Sequence, residues 1–165
     1  MRNYLGKLIL ALILAIVLAW QLLPSAALAI DVAEDIRTVQ LNAEGDTYVL
    51  SNEQLEQGKL VFVDTCSQCH LGGRTKTNPN VTLSLRDLRG AEPSRDNLLA
   101  MADYLQQPTT YDGELDLSEL HPNTMRADLY PEMRNLTVDD LKAVSGYILA
   151  QPKLRSTWGL GKAYD

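Results

Sequence analysis

Cys66-Ser67-Gln68-Cys69-His70 holds both cysteines of the 165-residue chain and one of its two histidines. At the end of a helix, positions i, i+3 and i+4 share one face. Both thiols and the imidazole are therefore offered to the same side. This is the C-x-x-C-H pattern that attaches a c-type haem. The two thiols add to the haem vinyl groups as thioethers, and the imidazole binds the iron beside them. A disulfide or a redox-active dithiol would use the same cysteines. A dithiol does not need the adjacent histidine and sits in a βαβ context. A disulfide leaves that histidine and a thin core unexplained. The single motif implies one covalently bound haem c on Cys66 and Cys69, with His70 as proximal iron ligand.

The amino terminus carries Arg2 and Lys7, then a run from Leu8 to Leu23 in which Gln21 is the one clearly polar residue. Pro24 breaks a helix there, and Ala27-Leu28-Ala29 has the small-x-small form of a cleavage site. Residues 1–29 are thus predicted to be a signal peptide, and residues 30–165 a cytochrome c domain. An uncleaved membrane anchor is the rival reading of the same run. Cleavage removes Arg2 and Lys7, leaving 13 basic residues against 21 acids and a net charge of −8. An acidic chain without a basic run is a poor partner for nucleic acid. With two cysteines and two histidines, a structural zinc site is excluded unless carboxylates complete it.

Thr38–Leu41 and Thr47–Leu50 are β-prone runs around turn chemistry at residues 42–46, which predicts a hairpin. Ser51-Asn52-Glu53-Gln54 is a capping-box pattern, opening a helix with Leu55, Phe62 and Cys66 on one side that stops near His70. Ser94 is the expected cap of a second helix carrying Leu98, Met101 and Leu105. Thr137 caps a third, with Leu141, Val144, Tyr147 and Ile148 as its apolar stripe. The tail from Pro152 is predicted to be irregular. The loops at 74–94 and 113–131 have few apolar partners, and eight aromatics make a thin core for the 136 residues from Ile30 onward. A haem would give those loops something to pack on. The second axial ligand is open on the residues alone. His121 lies before Pro122 in a loop, Met125 and Met133 also lie in loops, and Met101 reads as core.

The string CSQCHLGGRTKTNPNVTLSL resembles the cytochrome c-550 (PsbV) family, the extrinsic V subunits of photosystem II. The similarity continues through residues 108–114 (PTTYDGE), Glu119-Leu120-His121-Pro122 and residues 130–137 (YPEMRNLT). The resemblance implies a mostly α, class I cytochrome c-like fold around one haem, with a short N-terminal hairpin. It implies bis-histidine iron, with His70 proximal and His121 distal. It also implies a place on the lumenal side of the thylakoid membrane, bound to core lumenal loops and other extrinsic subunits and touching the membrane only peripherally through the complex. There the protein would stabilise the manganese–calcium cluster and its calcium and chloride environment. The carboxyl tail, Trp158 to Tyr164, is expected to help it dock. Leu160 stands where the family usually has glycine, and Asp165 adds a terminal charge. The alternative is a diffusible low-potential electron-transfer cytochrome of the lumen or periplasm. Two protein ligands on the iron leave no open position, which disfavours an enzyme.

Overall fold

The structure, a computed structural model, describes residues 2–21 and 31–160. The chain divides into two units after Ile30. The first holds one helix, α1 (Arg2–Gln21), whose described side chains at residues 4–16 are exposed. Pro24 and the predicted cleavage site lie outside the described residues. Among the described residues, no helix is long and apolar enough to cross a membrane.

The second unit opens with a single turn, α2 (Glu34–Arg37), and the hairpin β1 (Thr38–Gln40) with β2 (Thr47–Val49). Thr38 faces Val49 and Gln40 faces Thr47 in antiparallel register. The turn closes through the Leu41 N–H to the Asp46 carbonyl, 2.7 Å, and the Asp46 N–H to Asn42 Oδ1, 3.1 Å. Each strand is one residue shorter than the sequence predicts; Leu50, just past β2, is buried in the core and its N–H bonds the Arg37 carbonyl at 3.0 Å. Arg37 ties the hairpin down, donating from Nε to the Val32 carbonyl at 2.7 Å and from Nη1 to that of Leu50.

Helix α3 (Asn52–Val61) begins at the predicted capping box, with Ser51 and Gln54 satisfying each other's backbone N–H groups. It does not run uniformly to His70. Phe62–Cys66 form a π-helical turn before α4 (Ser67–His70). Such widened turns concentrate at functional sites. The stop after His70 falls where predicted, with Gly72 in the left-handed region at φ +66°.

Two expectations need correction beyond this point. Residues 83–91 have apolar packing of their own. Helix α5 (Leu85–Arg89) is capped by Ser84 and buries Leu88, with Ala91 buried just after it. One short turn is too brief to show helical periodicity in sequence. The cap of α6 (Leu98–Tyr104) is Asn97 rather than Ser94. Asn97 Oδ1 accepts from the Ala100 N–H at 3.0 Å, whereas the Ser94 hydroxyl donates to the Asp96 carboxylate at 2.7 Å.

Helix α7 (Val138–Leu154) is the scaffold against which α3 and α6 pack. Its predicted stripe is buried throughout. A Cβ on Gly58 would overlap the Ala143 carbonyl oxygen and lie 2.8 Å from Tyr147 Cβ, so glycine sets the close crossing of α3 and α7. Pro152 does not end the helix. In the last turn a proline removes one hydrogen bond, and the Arg155 N–H still bonds the Gln151 carbonyl at 2.8 Å.

The described part of the tail, to Leu160, is tied to the core. Trp158 is 4% exposed and part of the core, its ring centre 5.4 Å from that of Phe62. Its indole N–H donates to the Leu83 carbonyl at 3.0 Å, and the Gly159 N–H to that of Gly72 at 2.9 Å. Trp158 is therefore committed inside the protein rather than offered to a partner. Leu160 is exposed, and residues 161–165 lie outside the described residues.

Candidate haem site

Three candidate site residues come from one piece of chain. Cys66 closes the π-turn, and Cys69 and His70 stand on α4. Cys66 faces inward, and its thiol is pushed up to about 12, first by burial and then by the neighbouring Cys69. Cys69 is exposed. Burial, with His121 nearby, pushes the His70 imidazole down to about 4. It is thus neutral at ordinary pH, the form that binds metals. His70 Nδ1 lies 3.1 Å from Thr75 Oγ1.

His121 comes from irregular chain, and polar contacts hold it there. Its backbone N–H donates to the Leu117 carbonyl at 2.8 Å. Asn123, fully buried, donates from Nδ2 to the carbonyls of Ser118 (2.8 Å) and His121 (2.7 Å), and its Oδ1 accepts from the Arg126 N–H at 2.8 Å. The Thr124 N–H reaches the Leu105 carbonyl at 3.3 Å, linking the loop to the end of α6. His121 is also held below its ordinary pKa, mainly by burial and with a contribution from Arg95, against the bond to Pro122. That bond runs 2.9 Å from Nδ1 to the Pro122 carbonyl. A carbonyl only accepts, so Nδ1 carries the proton and Nε2 is the basic nitrogen.

The ring centres of His70 and His121 lie 6.2 Å apart, the planes inclined at 50°. Imidazole–metal bonds run about 2.0–2.1 Å in protein sites, so two rings sharing one metal ion have centres roughly 6 Å apart. Both Nδ1 atoms are engaged by neighbouring oxygens, as the free nitrogen of a metal-bound histidine ordinarily is. Among the described residues, no group of three or more His, Cys, Asp or Glu is placed to hold a metal. Two imidazoles facing each other beside a half-buried Cys66 and an exposed Cys69 fit a metal whose remaining ligands come from a macrocycle. The donor set suits haem c.

The structure places the competing methionines elsewhere. Met101 and Met133 are buried in the core, and Met125 is 64% exposed. Sequence reasoning missed four supporting residues: Thr75, Asn123, Tyr104 and Arg95. An asparagine two residues after a candidate loop ligand was a weak signal for Asn123. Nothing in the local pattern marked the other three.

A helix-borne C-x-x-C-H, a second histidine delivered by a loop, and α3 crossing α7 at a glycine describe a c-type cytochrome of class I fold. The comparisons with known proteins narrow this. The family model for the cytochrome c-550 domain matches residues 30–165. The "Photosystem II extrinsic protein V" of Aphanothece halophytica is 54% identical over 98% of this chain and 99% of its own. The protein of that name from a Picosynechococcus strain is 58% identical over 91% of this chain and 88% of its own. The crystal structure of cytochrome c549 superposes with a TM-score of 0.75 at 50% identity, covering 77% of this chain and 99% of that one. The PsbV2 cytochrome of Thermosynechococcus elongatus gives 0.65 at 32% identity, over 74% and 88%. The chain belongs to the cytochrome c-550 family, and haem c is the cofactor class that follows.

Proposed function

We propose that residues 30–165, freed from a signal peptide at 1–29, carry one haem c as thioethers of Cys66 and Cys69, with His70 and His121 as the axial ligands of its iron. The observation that carries this reading is the 6.2 Å approach of the two neutral imidazoles beside the cysteine pair. The haem would supply a one-electron couple. The chain's own residues would hold it, keep the proton on each Nδ1, and, with an imidazole on either side of the iron, leave no open position for an external ligand. No catalytic role is assigned, since an iron held on both faces offers substrate no open position.

The protein then acts as an extrinsic subunit of photosystem II, peripheral on the lumenal side of the thylakoid membrane. It contacts core lumenal loops and other extrinsic subunits, and stabilises the manganese–calcium cluster and its calcium and chloride environment. Relatives named as photosystem II extrinsic protein V, matched end to end, support this reading. Its net charge of −8 gives the association an ionic part, which salt screens. The test is rebinding of purified holoprotein to salt-washed photosystem II. Rebinding with recovery of oxygen evolution at low calcium and chloride is expected. A holoprotein that neither rebinds nor restores activity is instead a diffusible electron carrier.

A further inference from the structure

Behind the His121 ring stands a short stack that neither the family match nor the ligand assignment uses. The Tyr104 ring meets that of His121 edge to face, with centres 5.1 Å apart and planes at 64°. On Tyr104 lies the Arg95 guanidinium, its Cζ 4.0 Å from the ring centre. Arg95 is a buried cation, and the acceptors it meets are neutral. Its Nη2 donates to the Thr110 carbonyl at 2.6 Å, the Thr109 carbonyl at 3.1 Å and Thr109 Oγ1 at 3.2 Å. Its own backbone N–H is bonded to the Leu88 carbonyl at 2.9 Å. The cation is thus anchored from two sides of the fold. A buried charge held by neutral carbonyls is costly unless its geometry is good. The aromatic face supplies a further attraction that strengthens where water is excluded.

The direction of this stack matters. Tyr104 is the last residue of α6, and the loop bearing His121 is bonded to Leu105, the next residue. The Pro122 carbonyl fixes which nitrogen of His121 is protonated, but one hydrogen bond leaves the ring free to rotate about it. The Tyr104 ring blocks that rotation from the side. Arg95 in turn holds Tyr104 in the rotamer that does so.

We propose that Arg95 and Tyr104 are positioning residues that brace the distal imidazole of His121 on the haem iron. This rests on the reading of His121 as distal ligand. Carbon monoxide binds ferrous haem only when a protein ligand leaves, so its rate of binding reads the population in which His121 has swung away. The rate is measured on the full holoprotein alongside the ferric electron paramagnetic resonance spectrum, which reads the mutual orientation of the two imidazole planes. Tyr104→Leu and Arg95→Met should raise the rate about tenfold and shift the g-value spread. Tyr104→Phe keeps the ring and should restore both to wild type. The proposal is overturned if Tyr104→Leu binds carbon monoxide within about twofold of wild type with an unmoved spectrum. It is equally overturned if Tyr104→Phe behaves like Tyr104→Leu. Should Arg95→Met fail to fold, the Tyr104 pair decides alone. A wild type without bis-imidazole ligation overturns the assignment of His121, and this inference with it. A bis-imidazole wild type with unmoved variants overturns this inference alone.

Discussion

His70 and His121 reach the same place by opposite means. His70 rides on a helix end, and the chain leaving it is locked by core contacts. Gly72 is bonded to Gly159, the Leu83 N–H donates to the Gly73 carbonyl at 2.7 Å, and a Cβ on Gly73 would lie 2.7 Å from the Trp158 ring. His121 sits in chain with no regular structure. In that stretch Leu117 and Tyr130 are half-buried, while Leu115, Leu120, Met125 and Leu129 are not packed into the core. Hydrogen bonds from Asn123 and the ring stack of Tyr104 and Arg95 hold that loop instead. Packing is spread over many small contacts and degrades gradually. A polar network fails at single groups, because each buried donor or acceptor left unpaired costs about 1–3 kcal/mol. The proximal side should therefore yield mainly to changes of covalent attachment or core volume, and the distal side to loss of one polar side chain.

The largest effect should come from the motif itself. With Cys66→Ser and Cys69→Ser together no thioether can form, and acid–acetone should extract all haem from the chain, whereas the wild type retains it. Mass spectrometry of the mature chain is the second measure, and an unmodified wild-type mass would contradict the attachment. Next comes the lock on the proximal exit loop. Trp158→Ala removes a core indole, and substitutions of that kind cost about 3–5 kcal/mol. Denaturant unfolding of the holoprotein measures this. A loss below 1 kcal/mol would mean that Trp158 is not the lock that its burial implies.

This contrast also marks how much was legible in the sequence. The proximal side was readable because its chemistry is local. Cys66, Cys69 and His70 lie within five residues, and the capping boxes at Ser51 and Thr137 name their own partners three residues on. Leu141, Val144, Tyr147 and Ile148 repeat at helical spacing and are buried as a stripe. The distal side is built from residues distant in sequence. Arg95, Tyr104, Thr109 and His121 meet only in three dimensions, and no local period marks them. The place of Trp158 is illegible for the same reason. An aromatic between glycines in an unpatterned tail looks available for a partner, and its core neighbours Phe62 and Leu83 are 96 and 75 residues away in the chain. Local pattern cannot rank Ser94 against Asn97 as the cap of α6, whereas geometry does.

On the distal side the sharpest cut is Asn123→Ala. It unpairs the Ser118 and His121 carbonyls and the Arg126 N–H in a fully buried position. A loss of about 2–3 kcal/mol is expected from one amide, read by thermal unfolding. The same variant should speed release of His121. A change no larger than that of an exposed asparagine such as Asn135→Ala would remove the distinction between the two sides.

Acid should also act on the proximal exit loop. Burial pushes the Asp87 carboxyl up, but hydrogen bonds from the Thr82 hydroxyl and backbone, and then Arg86, outweigh it and leave the pKa below the ordinary carboxylate value. The Thr82 bonds are 2.7 Å from Oγ1 and 2.9 Å from N. A carboxyl with a depressed folded pKa contributes stability that is complete above its unfolded value, about 3.9. That contribution disappears as pH falls through the lower folded value. Asp87→Asn should flatten this part of the acid limb of stability against pH below about pH 4. An unchanged limb would assign the acid response to other carboxylates.

The smallest effect compares the second partners of the two ligands directly. With Nε2 on iron, the proton of each imidazole sits on Nδ1. His121 gives it to a backbone carbonyl, and His70 gives it to the Thr75 hydroxyl 3.1 Å away. Donating that proton makes an imidazole a stronger ligand and favours the ferric state. A carbonyl cannot be removed by substitution, but the hydroxyl can. Thr75→Val keeps the side-chain volume and deletes the acceptor. The His70 imidazole then donates less to the iron, ferric haem is less favoured, and the midpoint potential rises. Because one neutral hydrogen bond is lost while both axial ligands stay, the change should stay within one decade in the ferric–ferrous equilibrium, under about 59 mV. A redox titration of the two holoproteins decides it. A fall in potential would mean that Thr75 is not the acceptor of the His70 proton. A rise beyond one decade would mean that the proximal ligand depends on its polar partner as heavily as the distal one does.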